Sequence, residues 1–196
     1  MAEERNLVLE PVNGFVLAGG KSSRIGQDKG LLHLQGKPLV EIAADLLATV
    51  CRQVFLLAPE SRYPFLRLPA VPDRCSDGGP LVALVSALER SATDGNLFLP
   101  CDMPFLTTGI LVRMLSLAHD VDAVVPQDKA GRWFPLSAFY RKRCLLAMES
   151  QLARGNFKVD AFFQQVVVRA LAIEDYPEIT FANINSRDDL ARWTGG

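Results

Sequence analysis

Six short, almost continuously apolar runs recur along the chain: "GFVLA" (14–18), "VFLLA" (54–58), "LFLP" (97–100), "DAVVP" (122–126), "LSAFY" (136–140) and "ALAIE" (170–174). Strands buried on both faces read this way, whereas a strand with one wet face alternates. Between them the spacing turns helical. "PLVEIAADLLATVC" puts Leu39, Ile42, Ala43, Leu46, Leu47 and Val50 on one stripe, with Pro38 suited to the first turn. Further helical patterns run through 80–91, 107–118, 141–153, 158–167 and 187–193, punctuated by turn residues in "DGGP", "TDGN" and "RGN". Strand alternating with helix predicts an α/β fold: three αβα layers, Rossmann-like, doubly wound around a mostly parallel sheet. Ligands of such sheets sit at the carboxyl ends of the strands, beside the switch in strand order. Neither a repeat nor a low-complexity linker interrupts the pattern. A single domain over 1–196 is expected, with 1–12 a flexible or edge segment ahead of the first strand.

Composition narrows the function classes. The 196 residues are 49% hydrophobic and 22% charged, enough for one well-buried core. With a net charge of −1, no overall field steers the protein toward nucleic acid or an anionic membrane, so any phosphate binding is local. Four cysteines (51, 75, 101, 144) form no CxxC pair, and His33 and His119 have no ligand spacing, which argues against a zinc site or a disulfide framework. The start "MAEERNLVLEPVNG" is acidic where a signal peptide is basic, and no apolar run approaches the roughly 18 residues of a membrane span. A soluble, reduced, cytoplasmic protein is expected.

Two stretches carry the chemistry. "LAGGKSSRIGQDKG" (17–30) stands where the first strand hands over to a helix. It is not a Walker loop, because counting back from Gly20, Lys21 and Ser22 lands on Phe15. Nor is it a GxGxxG fingerprint, because Gly19 and Gly20 are adjacent and the next glycine is Gly26. Adjacent glycines let backbone approach a base or phosphate closely, and consecutive N–H groups can form an anion nest, with Arg24 and Lys29 adding charge at its mouth. The same residues also suit an ordinary βα turn with solvated cations. In "FLPCDMPFL", Asp102 follows a buried strand and so reaches the carboxyl edge of the sheet. It is a candidate ligand for a hard cation such as Mg²⁺, or else a turn or cap aspartate ahead of Pro104. Cys101 suits a small buried position at a strand end better than a redox role. Trp133 and Phe134 suit pterin stacking or loop packing.

Taken together, "LAGGKSSRIGQDKG…GKPL", "DGGPLVAL" and "PCDMPFL" resemble the molybdenum cofactor nucleotidyltransferases, and the opening Leu-Ala-Gly-Gly resembles their guanylyl branch, the molybdenum cofactor guanylyltransferases. "RWFPLSAFYRKRCLLAMESQLARGNFKV" and "FANINSRDDLARW" extend the resemblance over about residues 13–193. It implies a nucleotidyltransferase fold and the transfer of GMP from GTP to the molybdopterin cofactor, giving the guanine dinucleotide cofactor and pyrophosphate, with Mg²⁺. Carried over by position, Leu17, Ala18 and Gly19 line guanine and ribose; Gly20, Arg24 and Lys29 meet the phosphates; Asp102 holds the metal; and Asp73 contacts the nucleotide. Lys29, Arg24 and Asp102 are thus the implied catalytic residues, with Asn183 and Asn185 as weaker nucleotide contacts. Implied partners are the two substrates, with molybdoenzyme chaperones or other cofactor-biosynthesis proteins as recipients of the product.

The chain departs from the family pattern at Ile25 (commonly Met), at Leu57-Ala58-Pro59 (where an Asn often stands near the base), at Ala83 (often Gly) and at Ser186-Arg187 (commonly Thr-Pro). Two rival readings remain: a cytidylyl or other nucleotidyltransferase of the same fold, and a non-catalytic nucleotide-binding regulator. Retention of Lys29 and Asp102 disfavours the second.

Overall fold

A computed structural model describes residues 10–19, 28–59, 61–72 and 78–194. Six strands form one sheet: β1 (Val12–Leu17), β4 (Gln53–Leu57), β5 (Gly95–Pro100), β6 (Ala123–Gln127), β7 (Ala138–Arg141) and β8 (Val168–Ala172), in the order β4-β1-β5-β7-β6-β8. β1 lies parallel to β4 and β5, and β6 parallel to β8, while β7 runs antiparallel to both its neighbours. The exception has a simple cause. Only residues 128–137 separate β6 from β7, and a parallel return needs a crossover of about a dozen or more residues.

Helices α1 (Leu39–Ala48) and α3 (Thr108–Leu117) cover one face, while α2 (Gly79–Arg90) and α4 (Cys144–Ala153) cover the other. The expected three-layer αβα architecture is thus present. β1 sends Val12 and Val16 into the first layer, joined by Ala18 just beyond its end, and Phe15 and Leu17 into the second. Register places Phe15 level with Phe55 and Phe98, and the three rings stack at 5.1 Å centroid spacing, locking the middle of the sheet. Gly14 lets α1 settle on the sheet, since a Cβ there would meet Leu47 and Cys51 at 3.0 Å.

Two elements differ from the pattern reading. Residues 158–167, read as helical, form a 3₁₀ helix over Val159–Gln165. Crowded β-branched and aromatic side chains in "VDAFFQQVVV" disfavour α-helical packing of χ1. A small hairpin, β2 (His33–Leu34) with β3 (Lys37–Pro38), precedes α1, turning on Gln35 and Gly36 at φ 53° and 82°. α5 (Arg187–Thr194) ends the described chain.

The chain leaves β1 for β4 on one side and then crosses by α2 to β5 on the other. The switch in strand order therefore falls at β1, whose carboxyl end opens between those of β4 and β5.

Candidate active site

The three strand ends meet in register, with Leu17 level with Leu57 and Pro100. Just beyond them, Ala18 N donates to Leu57 O (3.4 Å) and Cys101 N donates to Leu17 O (3.1 Å). Sheet hydrogen bonding therefore carries the chain to Cys101, and Asp102 emerges directly above the switch point. The side chains of Leu17 and Ala18 are buried in opposite core layers, so neither side chain lines the mouth. Gly19 is exposed at the rim, without a positive φ. Gly20 and Arg24, in the glycine loop, and Asp73, beyond β4, lie outside the described residues.

Lys29 opens a 3₁₀ turn (Lys29–Leu31) at the far end of the glycine loop. Its ammonium stands 3.5 Å from the Asp102 carboxylate and also donates a hydrogen bond to Asn185 Oδ1. These residues lie far apart in sequence and meet through two local devices. Ile184, fully buried beside Leu32 and Leu39, donates its N–H to Asp102 O at 2.7 Å and docks the C-terminal segment across the strand ends. Ser186 then caps α5, accepting from Asp189 N (3.1 Å), while Asp189 accepts from Asn185 N (2.9 Å). Serine in place of the family's usual threonine thus keeps a capping hydroxyl, while the Asp189 carboxylate holds the Asn185 backbone. Asn183 is exposed on the same segment.

Sequence reasoning missed the support beneath Lys29. Asp28 caps the turn, accepting from Gly30 N (3.0 Å) and Tyr63 Oη (2.6 Å) at Oδ1 and from Arg62 Nε (2.8 Å) at Oδ2. The signal was faint: an aspartate before "KGLL" reads as a cap, but nothing in "ESRYPF" marks Arg62 and Tyr63 as its partners.

The two carboxylates have opposite electrostatics. Burial pushes Asp102 above the ordinary aspartate value of 3.8, and Lys29 offsets only part of that. Burial also opposes ionisation of Asp28, but the hydrogen bonds from Arg62 and Tyr63 outweigh it and hold its pKa below 3.8. Asp102 is thus a carboxylate whose charge is under-compensated at the point where a cationic ligand would be welcome. No group of three or more His, Cys, Asp or Glu side chains stands together among the described residues. The Asp102 carboxylate is a hard oxygen donor and suits a hard cation such as Mg²⁺.

Other candidates are structural. Cys101 is buried and its thiol is pushed up to about 12, which leaves it protonated and inert. Trp133 packs edge-on to Phe163 (5.4 Å), while Phe134 lies against Phe181 (5.4 Å) and beneath the Arg132 guanidinium (5.1 Å), so both rings serve loop packing.

Residues 14–170 match the family model described as the MobA-like NTP transferase domain. The chain belongs to the MobA-like NTP transferases. It is 31% identical, over 93% of its length and 96% of the relative's, to a protein of Flavobacterium johnsoniae named a probable molybdenum cofactor guanylyltransferase. The molybdopterin-guanine dinucleotide biosynthesis protein A of Archaeoglobus fulgidus shares the fold at a TM-score of 0.76 and 24% identity, over 92% of this chain and 95% of that one. A 4-diphosphocytidyl-2C-methyl-D-erythritol synthase of Anaerococcus prevotii also shares it, at 0.70 and 12%, over 93% and 96%. A MobA-like fold alone therefore leaves the choice of base open, and the residues of the site must make it.

Proposed function

We propose that this MobA-like NTP transferase moves GMP from GTP to the terminal phosphate of the molybdopterin cofactor, forming the guanine dinucleotide and releasing pyrophosphate. The observation that carries the reading is Lys29 held 3.5 Å from Asp102 at the carboxyl ends of β1 and β5. Opposite charges at the carboxyl edge of the sheet suit a metal-bound triphosphate. Guanylyltransferase names among relatives above 30% identity, together with Leu-Ala-Gly-Gly at 17–20, favour guanine.

Little covalent help is required of the protein, because a phosphate monoester is already a nucleophile at neutral pH. The work is alignment with the α-phosphate of GTP and compensation of developing charge. Lys29 supplies a cation to the phosphates, with Arg24 assigned the same role. Asn185, hydrogen-bonded to the Lys29 ammonium, keeps it directed at the mouth. Leu17, Ala18 and Gly19 are assigned to guanine and ribose and Gly20 to the phosphates, with Asp73 a further nucleotide contact and Asn183 a peripheral one. Asp102 is the group that would hold Mg²⁺, which when bound neutralises phosphate charge and favours departure of pyrophosphate.

The reading places the protein in the cytoplasm, passing its product to molybdoenzyme chaperones or other cofactor-biosynthesis proteins. It is tested by measuring pyrophosphate release from GTP and from CTP, each with and without molybdopterin. Release that needs both GTP and molybdopterin is expected. Release from CTP in preference to GTP would move the protein to the cytidylyl class, and no release from either would leave a nucleotide-binding regulator.

A further inference from the structure

The Asp28, Arg62 and Tyr63 group lies behind the site rather than in it. Tyr63 is only 2% exposed, and its hydroxyl reaches Asp28 Oδ1 at 2.6 Å and lies 3.3 Å from the carbonyl of Ala18 at the end of β1. A phenol has one proton, and the shorter contact to a charged acceptor claims it. Its ring also fills the space behind Gly30, where a Cβ would sit 2.5 Å from the hydroxyl oxygen. The Asp28–Gly30 backbone is therefore held from two directions, by hydrogen bonds at the Asp28 carboxylate and by van der Waals contact at Gly30. Lys29 lies between those two points.

The charges make the same point. Arg62 spends its Nε on Asp28 at 2.8 Å, so the pair is nearly neutral as seen from the mouth of the site. Such a pair contributes little field to a triphosphate but a good deal of rigidity to the turn that carries Lys29. From that turn the lysine reaches Asp102 and Asn185, which belong to two other segments of the chain. A turn displaced by about an ångström would lose that convergence, and misplacement on this scale is costly in phosphoryl chemistry.

We propose that Tyr63 and Arg62 are positioning residues for nucleotidyl transfer, acting through Asp28 to fix Lys29 opposite Asp102 without touching the nucleotide. The inference rests on the proposed role of Lys29 at the phosphates. Its test is a double-mutant cycle on wild type, Lys29→Ala, Tyr63→Phe and the double variant, with titrations of Mg²⁺–GTP and of guanosine and thermal melting of each. Tyr63→Phe is expected to weaken GTP about 5- to 10-fold when Lys29 is present and less than about 2-fold in the Lys29→Ala background, as coupled residues do. Guanosine binding should not change. Arg62→Met, at a side chain 25% exposed, runs the same cycle should Tyr63→Phe fail to fold. Equal weakening in both backgrounds would overturn the proposal, and for Arg62 it would mean direct contact with phosphate. Unchanged GTP affinity in a folded Tyr63→Phe variant would overturn it too. A wild-type protein that binds no nucleoside triphosphate would sink both this inference and the proposed function, whereas GTP binding with a multiplicative cycle would sink this inference alone.

Discussion

The two ends of β1 and β5 are both dense in polar side chains, and they are built on opposite principles. At the amino ends, Asn13, Ser91, Thr93 and Asn96 are all buried and all neutral. Asn13 Nδ2 donates to Ser91 Oγ (3.2 Å), Ser91 hydrogen-bonds Asn96, Thr93 Oγ1 donates to Gly95 O (2.9 Å), and Asn96 Nδ2 donates to Asp94 O (2.8 Å). Most partners are supplied from within, with the Lys142 ammonium donating to Ser91 O from the edge (2.5 Å), as in a structural network. At the carboxyl ends the groups are Lys29, Asp102, Asn185 and the Asp28–Arg62 pair, charged and partly exposed, with one carboxylate raised above its ordinary pKa by burial. A buried cluster of neutral side chains holds strands together, whereas partly exposed charges that include a carboxylate raised by burial mark a candidate binding site.

The largest effect expected from breaking this contrast is at Asp102. Asp102→Asn should lower turnover on the order of 100-fold or more, the size of a lost phosphate clamp. Stability should move the other way. Because the folded pKa lies above 3.8, the folded protein keeps a proton that the unfolded chain has given up, so ionised Asp102 costs stability at neutral pH and that cost is relieved as the pH falls through the raised value. Removing the charge should leave the melting temperature equal or higher, since Lys29, 29% exposed, can turn to water. Asp28 has the opposite sign: its contribution is complete above 3.8 and is lost as pH falls through its lowered value. In the metal-free protein, acid should therefore neutralise Asp102 before it unfolds the turn through Asp28, and a pH series of Mg²⁺ affinity and melting point separates the two. A folded Asp102→Asn variant with near-normal turnover would reduce the residue to a turn former.

Lys29→Ala sharpens the comparison on the binding side. Losing a charged hydrogen-bond donor should weaken GTP about 10- to 100-fold and guanosine less than about 2-fold. Equal weakening of both in parallel titrations would place the lysine away from the phosphates. Asn96→Ala is the counterpart at the other end. It should cost about 1–3 kcal/mol of stability by stranding its partners, with turnover per folded molecule unchanged. A melting curve and a specific activity from the same sample check it.

Much of this contrast could be read from the chain, and the part that could not has a physical reason. Continuous apolar runs announce strands covered on both faces, so the strand ends, and with them Lys29 and Asp102, follow from the rule that α/β sheets bind at their carboxyl edge. Arg62 and Tyr63 stand 34 and 35 residues from Asp28, a separation set by the path through α1 and β4 and by no local spacing. The reversed strand β7 was hidden because a buried antiparallel strand has the same apolar pattern as a parallel one. The β2–β3 turn was written in "QGKP" but is too short to stand out between two stronger signals.

The smallest effect expected is also the most specific, and it concerns Gly19. Leu-Ala-Ala-Gly in place of Leu-Ala-Gly-Gly at 17–20 would put a methyl where this chain has hydrogen, and a purine needs more room than a pyrimidine at a backbone that approaches the base. Gly19 is free of a positive φ, so alanine there brings no left-handed strain. It brings a different complication: the new Cβ would lie 3.2 Å from Leu57 O, the carbonyl that already accepts the rather long hydrogen bond from Ala18 N at 3.4 Å. The end of β4 must yield by a few tenths of an ångström, and that movement is blind to the base. Two components are therefore expected in Gly19→Ala. The first is a modest loss shared by GTP and CTP, which reports the strand end. The second is a further loss for GTP alone of about 10-fold, at the low end of what one badly placed methyl is worth in a pocket. Competition of GTP against CTP cancels the shared part and leaves the selective one. A ratio unchanged from wild type would show that the base is chosen elsewhere, and a melting point lowered with that ratio unchanged would assign the whole effect to Leu57.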